Sequence, residues 1–509
     1  MIYAPCGMLV LLALLAFVAH LPEGFLPLRR VGTIGTGQGG FAVILGSSGT
    51  TTRRVPYLRG TFPFGCAKEM RADPLSLLLR ARASLGDLVK MHLGPYPIYM
   101  LFRPEHVEHV LQKNPANYLK DGYEHVEPMV GRGLISSEGE HWRKQRRLIQ
   151  PAFHKKRLEG MARTMTDATA TMLDRWRERL RGGSGGEVLD ANMEMSRLTL
   201  EIVGRTLFGS ALGGEANRGE EALSLVFRLG FDRAGRFLQI PFGVPTPKNL
   251  RYRKGIRDMD EIVHSMLRAR RQAAPRGEED PAGGDLLDML LAAHEIGDGI
   301  TEKQLRDEVL TIMGAGYETT ARALCWTFYL LDGHPEAARS LRDELEGVLG
   351  GRAPTVEDLP RLPYTRMVLQ ESMRLFPPVW GLSRRLKEAD EVGGARIPKG
   401  NRVIISPYVT HRHPDLWPNP ERFDPERFRT ATLMDRPPRG MPRYAYFPFS
   451  GGPRQCVGVN FAAMEATLVL ATVAQSFELS VVPGHSVKPE PSFTLRPGNG
   501  LPVRLREIA

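Results

Sequence analysis

The chain has 509 residues, 42% hydrophobic and 25% charged, enough apolar material for a large core and too much for a disordered chain. Its four cysteines, Cys6, Cys66, Cys325 and Cys456, show no C-x-x-C spacing, which excludes a zinc ribbon or a disulfide framework and fits a reducing, cytoplasmic setting. Lys and Arg outnumber Asp and Glu by 68 to 57, a formal charge of +11, but they are dispersed and carry no zinc-finger, basic-zipper or RNA-recognition signature, so the expected use of the surplus is docking of an acidic protein and not of nucleic acid.

Residues 8–19 form an apolar run of 12, short of the roughly 20 that cross a bilayer, and no Lys or Arg precedes it as in a secretory leader. Pro22, Pro27, Arg29 and Arg30 follow, then a glycine-rich stretch, 32–49, that reads as a flexible linker. Residues 1–54 therefore read either as a weak membrane tether, which would place the protein at a membrane from the cytoplasmic side, or as a bland extension. A single folded domain is expected from Val55 to the C-terminus.

From 73 to about 331 the pattern is mainly helical, with amphipathic stretches at 161–180 and 250–271 and two turn-rich or charged loops, 182–186 and 273–284, too short to divide domains. Trp142-Arg-Lys-Gln-Arg146 reads as a basic amphipathic helix. Thr301-Glu-Lys-Gln304 has the form of a capping box, opening a helix to about Leu331 whose buried stripe runs Leu305, Val309, Ile312, Gly316, Thr319, Ala323, Trp326, Leu330. Gly314 and Gly316 each weaken a helix interior by about 1 kcal/mol relative to Ala, and Thr319 puts a hydroxyl on the apolar stripe. A close helix crossing, for which glycine is useful, accounts for this.

Beyond 331 short β-like runs at 402–405, 479–482 and 501–505 alternate with proline-rich loops, and a small sheet is expected there. Glu371 and Arg374 share a face at i, i+3 in a helical segment, 364–376, that Pro377-Pro378 must stop. As an isolated surface pair they are worth under about 1 kcal/mol. The most informative segment is Phe447-Pro-Phe-Ser-Gly-Gly-Pro-Arg-Gln-Cys-Val-Gly458, a glycine-rich loop that delivers Cys456 to the start of the helical pattern 461–474. Unpaired N–H groups and the positive end of a helix dipole favour a thiolate at such a place. The loop lacks the Lys-Ser/Thr of a Walker phosphate cradle.

Phe449, Gly452, Arg454, Cys456 and Gly458 stand at the spacing F-x-x-G-x-R-x-C-x-G, which resembles the heme-binding signature of the cytochrome P-450 family. Three further segments resemble family motifs in the family's order: Trp142 and Arg146 (W-x-x-x-R), Ala315-Gly-Tyr-Glu-Thr-Thr320 ([AG]-G-x-[DE]-T-[TS]), and Glu371 with Arg374 (E-x-x-R). The resemblance covers about 55 to the C-terminus; the first 54 residues and Tyr317, in a variable position, depart from it.

The resemblance implies a mostly α fold with a small β portion and a heme b (iron protoporphyrin IX) ligated axially by Cys456. It implies that Phe449 packs beside heme and thiolate, that Trp142, Arg146, Arg384 and Arg454 meet the propionates, and that Arg427 completes a buried network with Glu371 and Arg374. Glu318 and Thr319 would relay protons where the helix loosens over the oxygen-binding face. The implied activity is insertion of one oxygen atom from O2 into an apolar small molecule, a fatty acid, terpenoid, steroid or polyketide-like compound, held by 118–134, 227–244, the helix near Ala315, 379–382 and 493–495. Electrons would come from NAD(P)H through a separate ferredoxin, flavodoxin or flavoprotein reductase, since no flavin or iron–sulfur motif stands in the chain. The rival readings are a peroxide-using or isomerase member of the family and a non-catalytic heme sensor or electron carrier.

Overall fold

The computed structural model describes residues 53–508 apart from 124–125, 183–187, 210–214, 235–239, 273–283 and 297–299. The apolar run 8–19, the glycine-rich stretch 32–49 and most of the two loops at 182–186 and 273–284 lie outside the described residues. The longer helices are α1 Pro74–Leu85, α2 Gly139–Ile149, α3 Lys155–Gly182, α4 Ala191–Leu207, α5 Glu215–Ala234, α6 Pro247–Gln272, α7 Leu286–Glu295, α8 Glu302–Asp332, α9 Pro335–Leu349, α10 Pro363–Leu375 and α11 Val459–Ser476. The strands are β1 Leu88–Leu93, β2 Tyr96–Leu101, β3 Tyr118–Lys120, β4 Val188–Asp190, β5 Leu382–Leu386, β6 Asp390–Val392, β7 Ala395–Ile397, β8 Arg402–Ile405, β9 Phe477–Val481, β10 Pro489–Pro491, β11 Leu495–Pro497 and β12 Pro502–Glu507. The fold is thus mostly α with small sheets, as the sequence implied.

α8 forms where the capping box predicts it: the Thr301 hydroxyl accepts from the Gln304 N–H at 3.2 Å while the Gln304 side chain accepts from the Thr301 N–H at 2.9 Å. The single apolar stripe expected on it is too narrow. α4, α10 and α11 pack around the helix, and even Glu308, Glu318 and Arg322 are buried on it. A helix enclosed on all sides is the central element of a fold, and its polar side chains must find partners inside the protein.

The sheet is placed differently from expectation. The largest one has the order β1-β2-β8-β5-β3, so three of its five strands come from the N-terminal part read as helical. β1 and β2 form a hairpin across Gly94-Pro95, and β2 runs parallel to β8. The short, mixed runs Leu88-Val-Lys-Met-His-Leu and Tyr96-Pro-Ile-Tyr-Met-Leu are stabilised by this long-range pairing, which a local pattern does not reveal. β3 pairs with β5 in antiparallel register, with Lys120 opposite Arg384. The C-terminal strands appear as read, β8 at 402–405 and β9 with β12 in a three-stranded sheet completed by β4.

Candidate active site

The loop carrying Cys456 has a path only glycine permits. Gly452 takes a φ of +65°, and a Cβ there would stand 1.8 Å from the Leu111 carbonyl oxygen. The Cys456 N–H donates to the Phe449 carbonyl at 3.0 Å, and Gly458 is the N-cap of α11, so the sulfur sits just ahead of the helix start. At Gly458 itself a Cβ would meet Phe153 at an ordinary 3.6 Å, so the protein's own packing does not require glycine there. Burial pushes the Cys456 thiol up, while the Gly458 backbone and the Arg146 charge pull the other way without fully offsetting it.

Although deep in the protein, Cys456 is open on one side, onto an internal cavity of about 510 Å³. The cysteine loop, with Phe449 and Arg454, forms one wall; Ala315, Gly316, Thr319 and Thr320 of α8 also line the space. Phe231, Val379, Trp380, Leu382 and Phe493 give it an apolar region. The expected pocket stretches supply much of this lining, including Tyr123, Leu134 and Phe231; residues 235–239 of the 227–244 stretch lie outside the described residues.

Four cations also face the cavity: Lys120, Arg146, Arg384 and Arg454. Arg454 stacks over Trp142, 3.9 Å from the ring centre, and ion-pairs with Glu138. Arg146 donates to the Gln455 carbonyl at 2.8 Å, tying α2 to the cysteine loop. Arg384 is 5% exposed and donates to the Ser383 carbonyl at 2.8 Å; among the described residues no carboxylate pairs with it. Its cross-strand partner is Lys120, and like charges directly opposite each other on a sheet repel. Burial first, then Arg454 and Arg384, press the Lys120 ammonium down to about 7. The nearby Glu308 offers little compensation, because burial pushes its carboxyl up to about 8. This side of the cavity holds an excess of buried positive charge.

Glu371 and Arg374 are fully buried, with N–O distances of 2.6 and 2.8 Å, so the surface-pair reading does not apply. Arg374 also donates to the carbonyls of His411, Pro420 and Arg422, while Glu371 accepts from the Asp424 N–H and has Arg427 Nε at 3.4 Å. The network thereby fixes the 411–427 loops on α10. It extends to the cysteine loop through His411, whose Nε2 accepts from the Phe447 N–H at 2.9 Å; burial holds that imidazole well below 6.5, as an acceptor nitrogen requires.

One expectation for α8 needs correction. The helix does not loosen: it is continuous through Ala315–Thr320, and the Thr319 hydroxyl donates back to the Ala315 carbonyl at 2.9 Å. The glycines are used for close approach, since a Cβ at Gly314 would stand 2.8 Å from the Phe227 ring and one at Gly316 3.0 Å from Val203 of α4. Thr319 and Glu318 are not side by side in the cavity. Thr319 lines it, whereas Glu318 accepts from the Thr494 hydroxyl at 2.9 Å and lies 3.8 Å from Arg322. Sequence reasoning missed Lys120, Thr320, His411 and the buried Glu465 of α11. Lys120 and His411 carry no motif of their own, Thr320 closes the Ala315–Thr320 motif without being singled out by it, and Glu465 is a carboxylate on an otherwise apolar helix, a signal available in the sequence.

The family model for Cytochrome P450 matches residues 56–502. Among curated proteins the chain is 36% identical over 450 residues to "Cyclooctatin synthase" of Streptomyces melanosporofaciens, covering 87% of this chain and 92% of that protein. It is 37% identical over 444 residues to "Cyclooctat-9-en-7-ol 5-monooxygenase" of the same organism, covering 85% and 92%. It is 34% identical over 464 residues to "Pentalenene oxygenase" of Streptomyces avermitilis, covering 88% and 97%.

Proposed function

The chain belongs to the cytochrome P450 family, a heme-iron monooxygenase, and from that premise we propose that it oxygenates an apolar cyclic terpenoid, with heme b bound through Cys456. The observation that carries this reading is one cavity in which an open cysteine sulfur, a side with unpaired positive charge and an apolar region come together. The relatives named for cyclooctat-9-en-7-ol and pentalenene support the terpenoid class over fatty acid or steroid.

The residues fit a heme. Lys120 and Arg384, forced opposite each other by the β3–β5 register, need buried anions between or beside them, and two propionates meet that need together with Arg146 and Arg454. Cys456 would hold the iron through its sulfur, with Phe449 lining the same wall of the cavity. When bound there, a heme would supply activation of O2 and transfer of one oxygen atom, chemistry that a thiolate ligand favours. The protein's part is to hold the substrate against that face and to exclude water: Phe231, Trp380, Val379, Leu382 and Phe493 offer apolar surface without a fixed charge. Thr319 holds a hydroxyl on the cavity wall where a proton can be passed. Electrons come from a separate acidic donor protein. Arg143 and Arg147 favour its docking, being exposed on α2, the helix whose Trp142 and Arg146 face the cavity.

The reduced carbon monoxide complex should show the absorption band of thiolate heme and Cys456→Ala should lose it. A panel of terpenoid hydrocarbons and alcohols, fatty acids and steroids, titrated into the ferric protein, should give its tightest spectral shift with a terpenoid. An unchanged band in the Cys456 variant sinks the ligation, and a tighter shift with a fatty acid or steroid sinks the substrate class.

A further inference from the structure

On the side of α8 turned towards α4 and α5 lies a second set of polar groups, distinct from the cations of the cavity. Tyr317, Glu318 and Arg322 are all buried, and each has a polar atom with no hydrogen-bond partner in the protein: the Tyr317 hydroxyl, Glu318 Oε2 and Arg322 Nε. Their remaining atoms are well engaged. Glu318 Oε1 accepts from Thr494, and Arg322 bonds Asn192 and Ser196 of α4. From α5, Ser224 and Glu220 both act on the Tyr317 hydroxyl; Glu220 is 2% exposed and accepts from the Ser224 hydroxyl at 2.7 Å. The charge of Glu220 is felt at both Tyr317 and Glu318.

Three orphaned polar atoms within six residues of one helix are not explained by packing, because a buried polar group without a partner is costly and native proteins satisfy such groups with internal water. The seam supplies the two to four polar partners that an internal water needs. The seam ends at Thr494, next to Phe493, which lines the cavity, and at Glu318, next to Thr319, which also lines it. At its other end Glu220 adjoins the exposed Glu221.

We propose that this seam holds ordered water and carries protons from Glu220 through Ser224 and Tyr317 to Glu318, so that Tyr317 is a positioning residue for proton supply to the cavity. In each transfer a hydroxyl or water accepts one proton and releases its own to the next group. For each proton that Glu318 gives up towards the cavity through the Thr494 hydroxyl bonded to it, Glu318 takes one from the seam and solvent restores one at the Glu220 end, so the seam itself is left unchanged. Nothing is oxidised or reduced. The proposal rests on the monooxygenase reading and adds a route to it. Glu318 faces away from the cavity because it is the receiving end of that route, and Tyr317, at a variable position of the motif, is its middle.

The test uses the heme-loaded protein and Tyr317→Phe, which removes only the hydroxyl, with Ser224→Ala as a second variant if the first fails to fold. Both should keep the thiolate-heme band and the substrate-induced spectral shift, which separates this test from failure of the monooxygenase reading. Turnover should fall about tenfold or more, and the solvent deuterium isotope effect on oxygen consumption should rise, as expected when a proton relay is cut. Independently of activity, a crystal structure of the resting protein should show ordered water bonded to the Tyr317 hydroxyl, Glu318 Oε2 and Arg322 Nε. The infrared carbonyl band of the buried carboxyls should also shift in Tyr317→Phe. A dry seam, or an unchanged isotope effect and turnover in Tyr317→Phe, overturns the proposal.

Discussion

Glu465 makes the structure's electrostatics measurable away from the chemistry. It lies in α11, fully buried, and neither carboxyl oxygen has a hydrogen-bond partner in the protein. Thr320, whose hydroxyl is used 3.3 Å away on the Gly316 carbonyl, is the group that acts on it, and burial pushes the carboxyl up to about 8 from its ordinary 4.5. The sign follows from proton counts. Between those two values the unfolded chain has lost the proton and the folded one keeps it, so unfolding releases a proton and stability falls as pH rises. The loss is absent below the unfolded value, amounts to about 3 kcal/mol at pH 7, and levels off at about 5 kcal/mol above pH 8. Glu465→Gln keeps the shape and removes the ionisation from both states. Urea unfolding followed by circular dichroism, wild type against variant from pH 5 to 8.5, should give near-equal stability at pH 5 and a gap in the variant's favour that widens to a few kcal/mol at pH 8. Other buried carboxyls such as Glu308 contribute equally to both proteins and cancel. Parallel curves would refute the reasoning and mean that Glu465 has a partner that stabilises its charge.

Thr319→Ala should leave heme content and substrate shift near wild type while diverting reducing equivalents from product to hydrogen peroxide, checked by measuring product, peroxide and NAD(P)H in one reaction; unchanged coupling would make Thr319 structural. Reduction by an acidic ferredoxin or flavodoxin should slow as salt rises, because steering by surface charge is screened, and should slow further in Arg143→Glu and Arg147→Glu; a rate indifferent to both treatments would assign the basic surplus elsewhere.

What the sequence made legible depends on whether a site's geometry is carried by neighbouring residues. The Cys456 loop could be read because its path needs Gly452 at a positive φ and a helix immediately after it, all within one contiguous string. Glu371 and Arg374 could be read because one helical turn joins them. Their burial could not, since an i, i+3 pair looks the same on a surface. Lys120 was out of reach for a different reason. It becomes a partner of Arg384 only when β3 pairs with β5, in a sheet that also draws β1 and β2 from a region whose local pattern reads as helix. The charge excess that makes this side of the cavity fit for carboxylates is therefore a product of strand register.

α8 shows where a motif can be right about residue type and silent about direction. Gly314 and Gly316 admitted two explanations in the sequence, a close crossing or an open space, and the structure uses both at one place. Phe227 and Val203 press on the glycines while Ala315 and Gly316 still line the cavity. Glu318 and Thr319 are adjacent in sequence, and adjacency suggests a pair. On a helix successive side chains point about 100° apart, so two neighbours can share a function only if something connects their two faces. Thr319 reaches the cavity and Glu318 reaches Thr494, Arg322 and the side turned to α5. The helix thus separates the group that faces the substrate space from the group that can be resupplied with protons from α5. On the proposed route protons arrive behind the helix, and the apolar region lined by Phe231, Val379, Trp380, Leu382 and Phe493 does not have to carry them.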